Sequence, residues 1–157
     1  MAVVFAVGTL TSTGVFTDTQ TVVVGGKTYT TQAVLTNVDG NVLIGASAAA
    51  TLQNLKDAIN LTGTPGTQYA AAMTANPLVV ATSVTATTLV VSSKVAGAIG
   101  NQIATTETQT NAAWGGVVLA AGAGDVSVDI RALLAAYQVN GAVNQALIDM
   151  TDPEGNE

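Results

Sequence analysis

Thr21-Val22-Val23-Val24-Gly25-Gly26-Lys27-Thr28-Tyr29-Thr30-Thr31 reads as a β-hairpin. Two runs of β-branched and aromatic residues flank a glycine pair, and glycine supplies the positive φ that both central positions of a tight hairpin turn require. A second turn signal, Asn37-Val38-Asp39-Gly40-Asn41, leads into a short strand, Val42-Leu43-Ile44. The period then changes. Ala48, Leu52, Leu55 and Ile59 recur at helical spacing on one face. Ser47 is a candidate N-cap, Lys56 and Asp57 are expected to face away, and Gly63 with Pro65 is expected to end the helix, which is placed at about 47–60. Two further strands are expected at 78–82 and 88–92, joined by a Thr-rich turn, and a third around 102–106 after the 97–100 loop. The expected fold class is α+β: an antiparallel, β-rich domain with one helix packed on a face.

The sequence changes character after Gly115-Gly116. Val117-Val118-Leu119 suggests one more strand, and Gly122-Ala123-Gly124 a flexible joint. From Asp129 the spacing of Ile130, Leu133 or Leu134, and Tyr137 is helical; Asn140-Gly141 interrupts it, and Val143, Ala146, Leu147 and Met150 resume it. The expected division is an α+β structural domain at 1–115 and, at 116–157, a strand and linker followed by a short helical C-terminal segment with an acidic tail. Helices this short do not hold their apolar faces alone, so the segment must dock on the body or on another subunit.

Charge is scarce and uneven. Charged residues make up 9% of the 157 residues, against roughly 25% in an ordinary soluble domain, so the polar surface falls mainly to Thr, Ser, Asn and Gln. Residues 1–124 hold four acidic and three basic side chains; residues 125–157 hold six acidic and one basic. With so few cations no patch can neutralise a run of phosphates, which argues against nucleic acid and against anionic membrane surfaces. The apolar start, Ala2 to Val7, lacks a basic n-region and is broken by Gly8, so it fits a signal peptide poorly, and synthesis in the cytoplasm is expected. No cysteine is present, and no internal repeat is visible.

Several motifs suggest chemistry and have simpler readings. Gly26-Lys27-Thr28 resembles the end of a phosphate-binding loop, but Thr21 stands where that motif needs its first glycine, and a strand rather than a helix follows. Gly122 and Gly124 begin a GxGxxG in which Ser127 replaces the last glycine. Without histidine, neither a Ser/His/Asp triad nor a His-based zinc site can be built. Asp125 and Asp129 could share a helix face and hold Ca²⁺ or perform acid/base work, yet carboxylates near a helix start are favoured for electrostatic reasons alone. Asn60-Leu61-Thr62 is a formal glycosylation sequon. Trp114 reads either as core packing or as an interface contact. No catalytic, cofactor-binding or metal-binding residue is assigned, and no cofactor is expected.

The run from Thr21 to Thr30, the run from Asn41 to Asn60, Val79-Val80-Ala81-Thr82, and Leu89-Val90-Val91-Ser92-Ser93-Lys94-Val95-Ala96-Gly97-Ala98-Ile99-Gly100-Asn101 together resemble a domain of phage structural proteins. The same layout is similar to the "IN" motif domain of flagellar hook-associated proteins. The resemblance spans about residues 20–115 and brings no catalytic residues. It implies a non-enzymatic virion structural protein: a capsid decoration, cement or head-fibre protein that binds the major capsid protein and self-associates, with a trimer favoured. Two alternatives accompany it. One is a tail tube, baseplate or fibre component. The other is a carbohydrate-binding module on the virion that uses Trp114, Tyr29 or Tyr69 as a stacking platform. Candidate interface residues are Val3, Val4, Phe5 and Trp114 in the body, and Ile130, Leu133, Leu134, Tyr137, Val143, Leu147 and Met150 in the C-terminal segment.

Overall fold

Gly25 and Gly26 adopt φ of 61° and 76°, the left-handed pair that a two-residue hairpin turn needs, and they join β2 (Thr21–Val24) to β3 (Lys27–Gln32) in antiparallel register, with Val24 opposite Lys27. The structure is a computed structural model and describes residues 2–124. The expected interface residues Ile130, Leu133, Leu134, Tyr137, Val143, Leu147 and Met150, together with Asp125 and Asp129, lie outside the described residues.

Around the hairpin, the 33–40 loop carries the chain back so that β4 (Asn41–Leu43) lies parallel to β3, not antiparallel as expected. On the other side β2 pairs with β7 (Thr105–Glu107), giving one sheet in the order β4-β3-β2-β7. A second sheet runs β5-β6-β1-β8, where β1 is Phe5–Ser12, β5 Val79–Val84, β6 Thr88–Ala96 and β8 Ala112–Trp114. All its pairings are antiparallel. The α+β class stands, with two sheets in place of the one expected.

The helix α1 (Ala48–Asn60) starts where its cap requires. The Ser47 hydroxyl accepts the Ala50 N–H at 3.1 Å, while Ser47 itself keeps extended backbone. Leu52, Leu55 and Ile59 are buried on its inner face, each contributing about 1.5–3 kcal/mol. That face lies against β5 and β6 of one sheet and β4 of the other, so helix and sheets share a single core. Two expectations fail at its C-terminal end. The helix stops at Leu61, which takes the left-handed conformation (φ 53°), so Gly63 is not the stop. Asp57 does not face solvent: it is buried, and its carboxylate accepts from Gln53 Nε2, Thr62 Oγ1 and Gln68 Nε2, which ties the helix end to the loop that follows.

Residues 116–124, expected to begin a separate segment, belong to the body. The Thr105 N–H donates to Val117 O and the Leu119 N–H to Ile103 O; Val7 and Ala120 exchange hydrogen bonds of 2.7 and 2.9 Å, and Val4 and Ala123 do likewise. Leu119 is fully buried. The stretch thus joins β7 of one sheet to β1 of the other. Gly122 is no free joint: its N–H and C=O are both held by the Asn101 side chain, at 2.8 and 3.0 Å. The body of the described residues therefore continues past 115 to residue 124.

Candidate functional site

β1 alternates with inverted polarity. As a central strand it points Ala6, Gly8, Leu10 and Ser12 inward, and turns Phe5 (47% exposed) and Val7 (42%) outward. Small residues inside make room for others: a Cβ on Gly8 would come within 2.5 Å of Leu119 Cδ2 and 3.6 Å of Trp114 Cζ3. Over residues 5–8 the bulky apolar groups therefore stand on the outer face, and Leu10 restores the usual order further along.

Its neighbours continue this outer face. Val7 lies opposite Ser92, which lies opposite Val80; Thr9 is opposite Val90, and Thr11 is opposite both Thr88 and Ala113. None of these side chains is charged. Val3, Val4 and Phe5 stand at one end of the sheet, where the Gly97 N–H donates to Val4 O and Phe5 is opposite Ala96; Val95 and Ile99 are exposed on that neighbouring stretch. The structure thus brings the three N-terminal candidates together with Val7, the end of the same apolar run, and adds Val95 and Ile99, which sequence reading missed. The missed signal was the Phe5/Val7 against Ala6/Gly8 alternation, which marks a strand with its apolar side outward.

Trp114, the fourth body candidate, is only 9% exposed and packs in the core, so of its two readings packing is the one the structure displays. Its Nε1–H is buried without a hydrogen-bond partner. Beside it, where residues 115–120 leave β1 and rejoin it, Val7, Gly8, Thr9, Trp114, Val118 and Ala120 line a pocket of about 230 Å³. The carbohydrate reading required exposed rings. Tyr29 and Tyr69 are 0% and 1% exposed, and with Trp114 buried as well, none of the three offers a stacking face.

Gly25, Gly26, Lys27, Asp39 and Thr74 border a polar groove of about 490 Å³, where a phosphate-binding loop would put its lysine to use. Here the lysine is already engaged. Lys27 Nζ donates to Asp39 Oδ1 (2.8 Å), to Thr74 Oγ1 (2.7 Å) and to Thr74 O, while the Thr74 N–H and hydroxyl donate to Asp39. Slight burial pushes the Asp39 carboxyl up, but the bonds from Lys27 and Thr74, with the Lys27 charge, outweigh it and lower its pKa to about 2. Behind the node, burial raises the Tyr29 phenol to about 12 against the opposing hydrogen bond from Asn76. The node locks the hairpin to the 74–77 segment.

The sequon asparagine is likewise engaged: Asn60 Nδ2 donates to Ala81 O (2.8 Å), and its Oδ1 accepts the Ala81 N–H (2.9 Å). No helix among the described residues is long and apolar enough to cross a membrane. Compared with protein-family models, curated proteins and solved structures, the chain finds no match in any of the three.

Proposed function

We propose that the chain is a non-enzymatic structural protein of a virion, a capsid decoration, cement or head-fibre protein that binds the major capsid protein and associates with copies of itself, most simply as a trimer. One observation carries the assembly role: a central strand that turns Phe5 and Val7 outward, beside the uncharged Ser92, Val80 and Val90, while keeping Ala6 and Gly8 inside. Apolar groups exposed together in one patch mark an interaction surface. Among the described residues, Lys27, Asp39 and Asp57 are engaged in bonds that hold the fold together, which supports the same reading. The virion setting rests on the resemblance of residues 20–115 to phage structural domains.

The assembly role is tested by Phe5→Lys with Val7→Lys. Both positions are substantially exposed, so each change should alter stability by no more than about 0.5 kcal/mol, yet charges placed in a docking face should abolish self-association and retention on particles. Wild-type oligomeric mass and wild-type retention in the double variant would sink the reading. Labelling the protein on intact particles separates head from tail, and signal confined to the tail would transfer the role to a tail component.

A further inference from the structure

Each sheet ends in edge strands, and an edge left open is a template for strand addition by another chain. Two of the edges are covered by backbone. Beside β4, the Leu43 N–H donates to Gln68 O and the Ala70 N–H to Asn41 O; beside β7, residues 117–119 take the corresponding groups. β5 is different, because side chains alone bond its outer edge. Asn76 Oδ1 accepts the Val79 N–H at 3.1 Å, and the Asn60 amide both accepts from and donates to Ala81. With its carboxamide, Asn60 reproduces the pair of bonds that a neighbouring strand would make.

The segment so guarded is the kind that needs guarding. Val79-Val80-Ala81-Thr82-Ser83-Val84 is uncharged, rich in β-branched residues and free of proline and lysine, the two residues that most often blunt an edge. Its one other defence is a register shift between Ala81 and Ser83, which disrupts pairing beyond the guarded residues. We infer that Asn60 is an edge guard: it closes β5 against strand addition by a second copy of this chain. The guard comes from the last residue of α1, so the helix that fills the core also caps the sheet. The inference is independent of the virion reading.

Asn60→Ala tests it in the full chain. Freed of the amide, Ala81 becomes available to another strand, and sedimentation velocity should show species of at least twice the wild-type mass at the same concentration, with the Ala81 amide protected from hydrogen exchange in them. Adding Thr82→Lys, a charge beside the opened edge, should return the distribution to that of wild type. An Asn60→Ala protein that unfolds cooperatively and keeps the wild-type mass overturns the inference. So does association that Thr82→Lys leaves unchanged. Should Asn60→Ala fail to fold, Asn60→Ser, too short to span both groups of Ala81, is judged by the same two measurements.

Discussion

Asp39 shows how a residue that looks like chemistry can be fully used by the fold. Its carboxylate collects the Lys27 ammonium and both donors of Thr74, which holds its pKa near 2 against an ordinary 3.8. A folded-state pKa below the unfolded one contributes stability that is complete above about pH 3.8 and is lost as pH falls towards 2. Because the Asp39 side chain is 46% exposed, solvent screens the effect and its size is modest. Urea unfolding across that window should show the wild type losing stability that Asp39→Asn lacks throughout, so the two curves converge at the acid end; parallel curves would remove Asp39 from the account. Trp114 supplies the opposite case, a polar atom with no partner. Leaving a buried N–H unpaired costs about 1–3 kcal/mol, and Trp114→Phe removes that penalty along with some packing, so the exchange should be close to neutral, whereas Trp114→Ala should lose about 3–5 kcal/mol. Chemical denaturation of the pair distinguishes packing from polar contact. Neither environment could be read in the sequence, since each depends on partners far along the chain: Thr74 for Asp39, Gly8 and Leu119 for Trp114.

At the level of the element, local signals were legible and long-range ones were not. The Gly25-Gly26 hairpin and the Ser47-capped helix lie where the residues put them, because turn chemistry and capping act within a few positions. β1 escaped notice because its alternation sets Ala and Gly against Phe and Val, so every residue but the last few reads as apolar; only its central place between β6 and β8 shows which side is inward. The parallel pairing of β4 with β3 and the inward turn of Asp57 were hidden in the same way, since both are fixed by the 68–70 segment and its Gln68. The end of α1 lies at Asn60, as its placement at about 47–60 expected, but the residue that makes the stop was misread: glycine and proline at 63 and 65 signal it, whereas the left-handed residue is Leu61, 43% exposed. A side chain there bears a steric penalty of roughly 1–2 kcal/mol that glycine avoids, offset in part by the greater freedom of glycine in the unfolded chain. Leu61→Gly should therefore raise stability by about 0.5–1 kcal/mol, read as a higher denaturant midpoint at unchanged slope; a lower midpoint would show that the Leu61 side chain contributes more than its exposure implies.

For the body as a whole, the step that unites two sheets and a helix is the return of residues 115–124. Glycines at 115, 116, 122 and 124 made that stretch look like a strand and a hinge, yet its hydrogen bonds run to β7 on one side and β1 on the other, and Leu119 fills the space that Gly8 leaves. Two consequences follow from that placement. The inner face of β1 is small because a later segment completes it, which is why the outer face is free to carry the apolar residues on which the proposed assembly role depends. Stability must also depend on a stretch whose composition suggests dispensability. Leu119→Ala removes a fully buried side chain at the junction and should cost about 2–5 kcal/mol, whereas Val117→Ala, two residues earlier and 78% exposed, should change stability by less than about 0.5 kcal/mol. Urea midpoints of the two variants decide the matter. If Leu119→Ala is as mild as Val117→Ala, residues 115–124 are a tether after all, and the inverted strand loses its explanation; if the two differ as expected, the same folding step that closes the core also leaves Phe5 and Val7 outward.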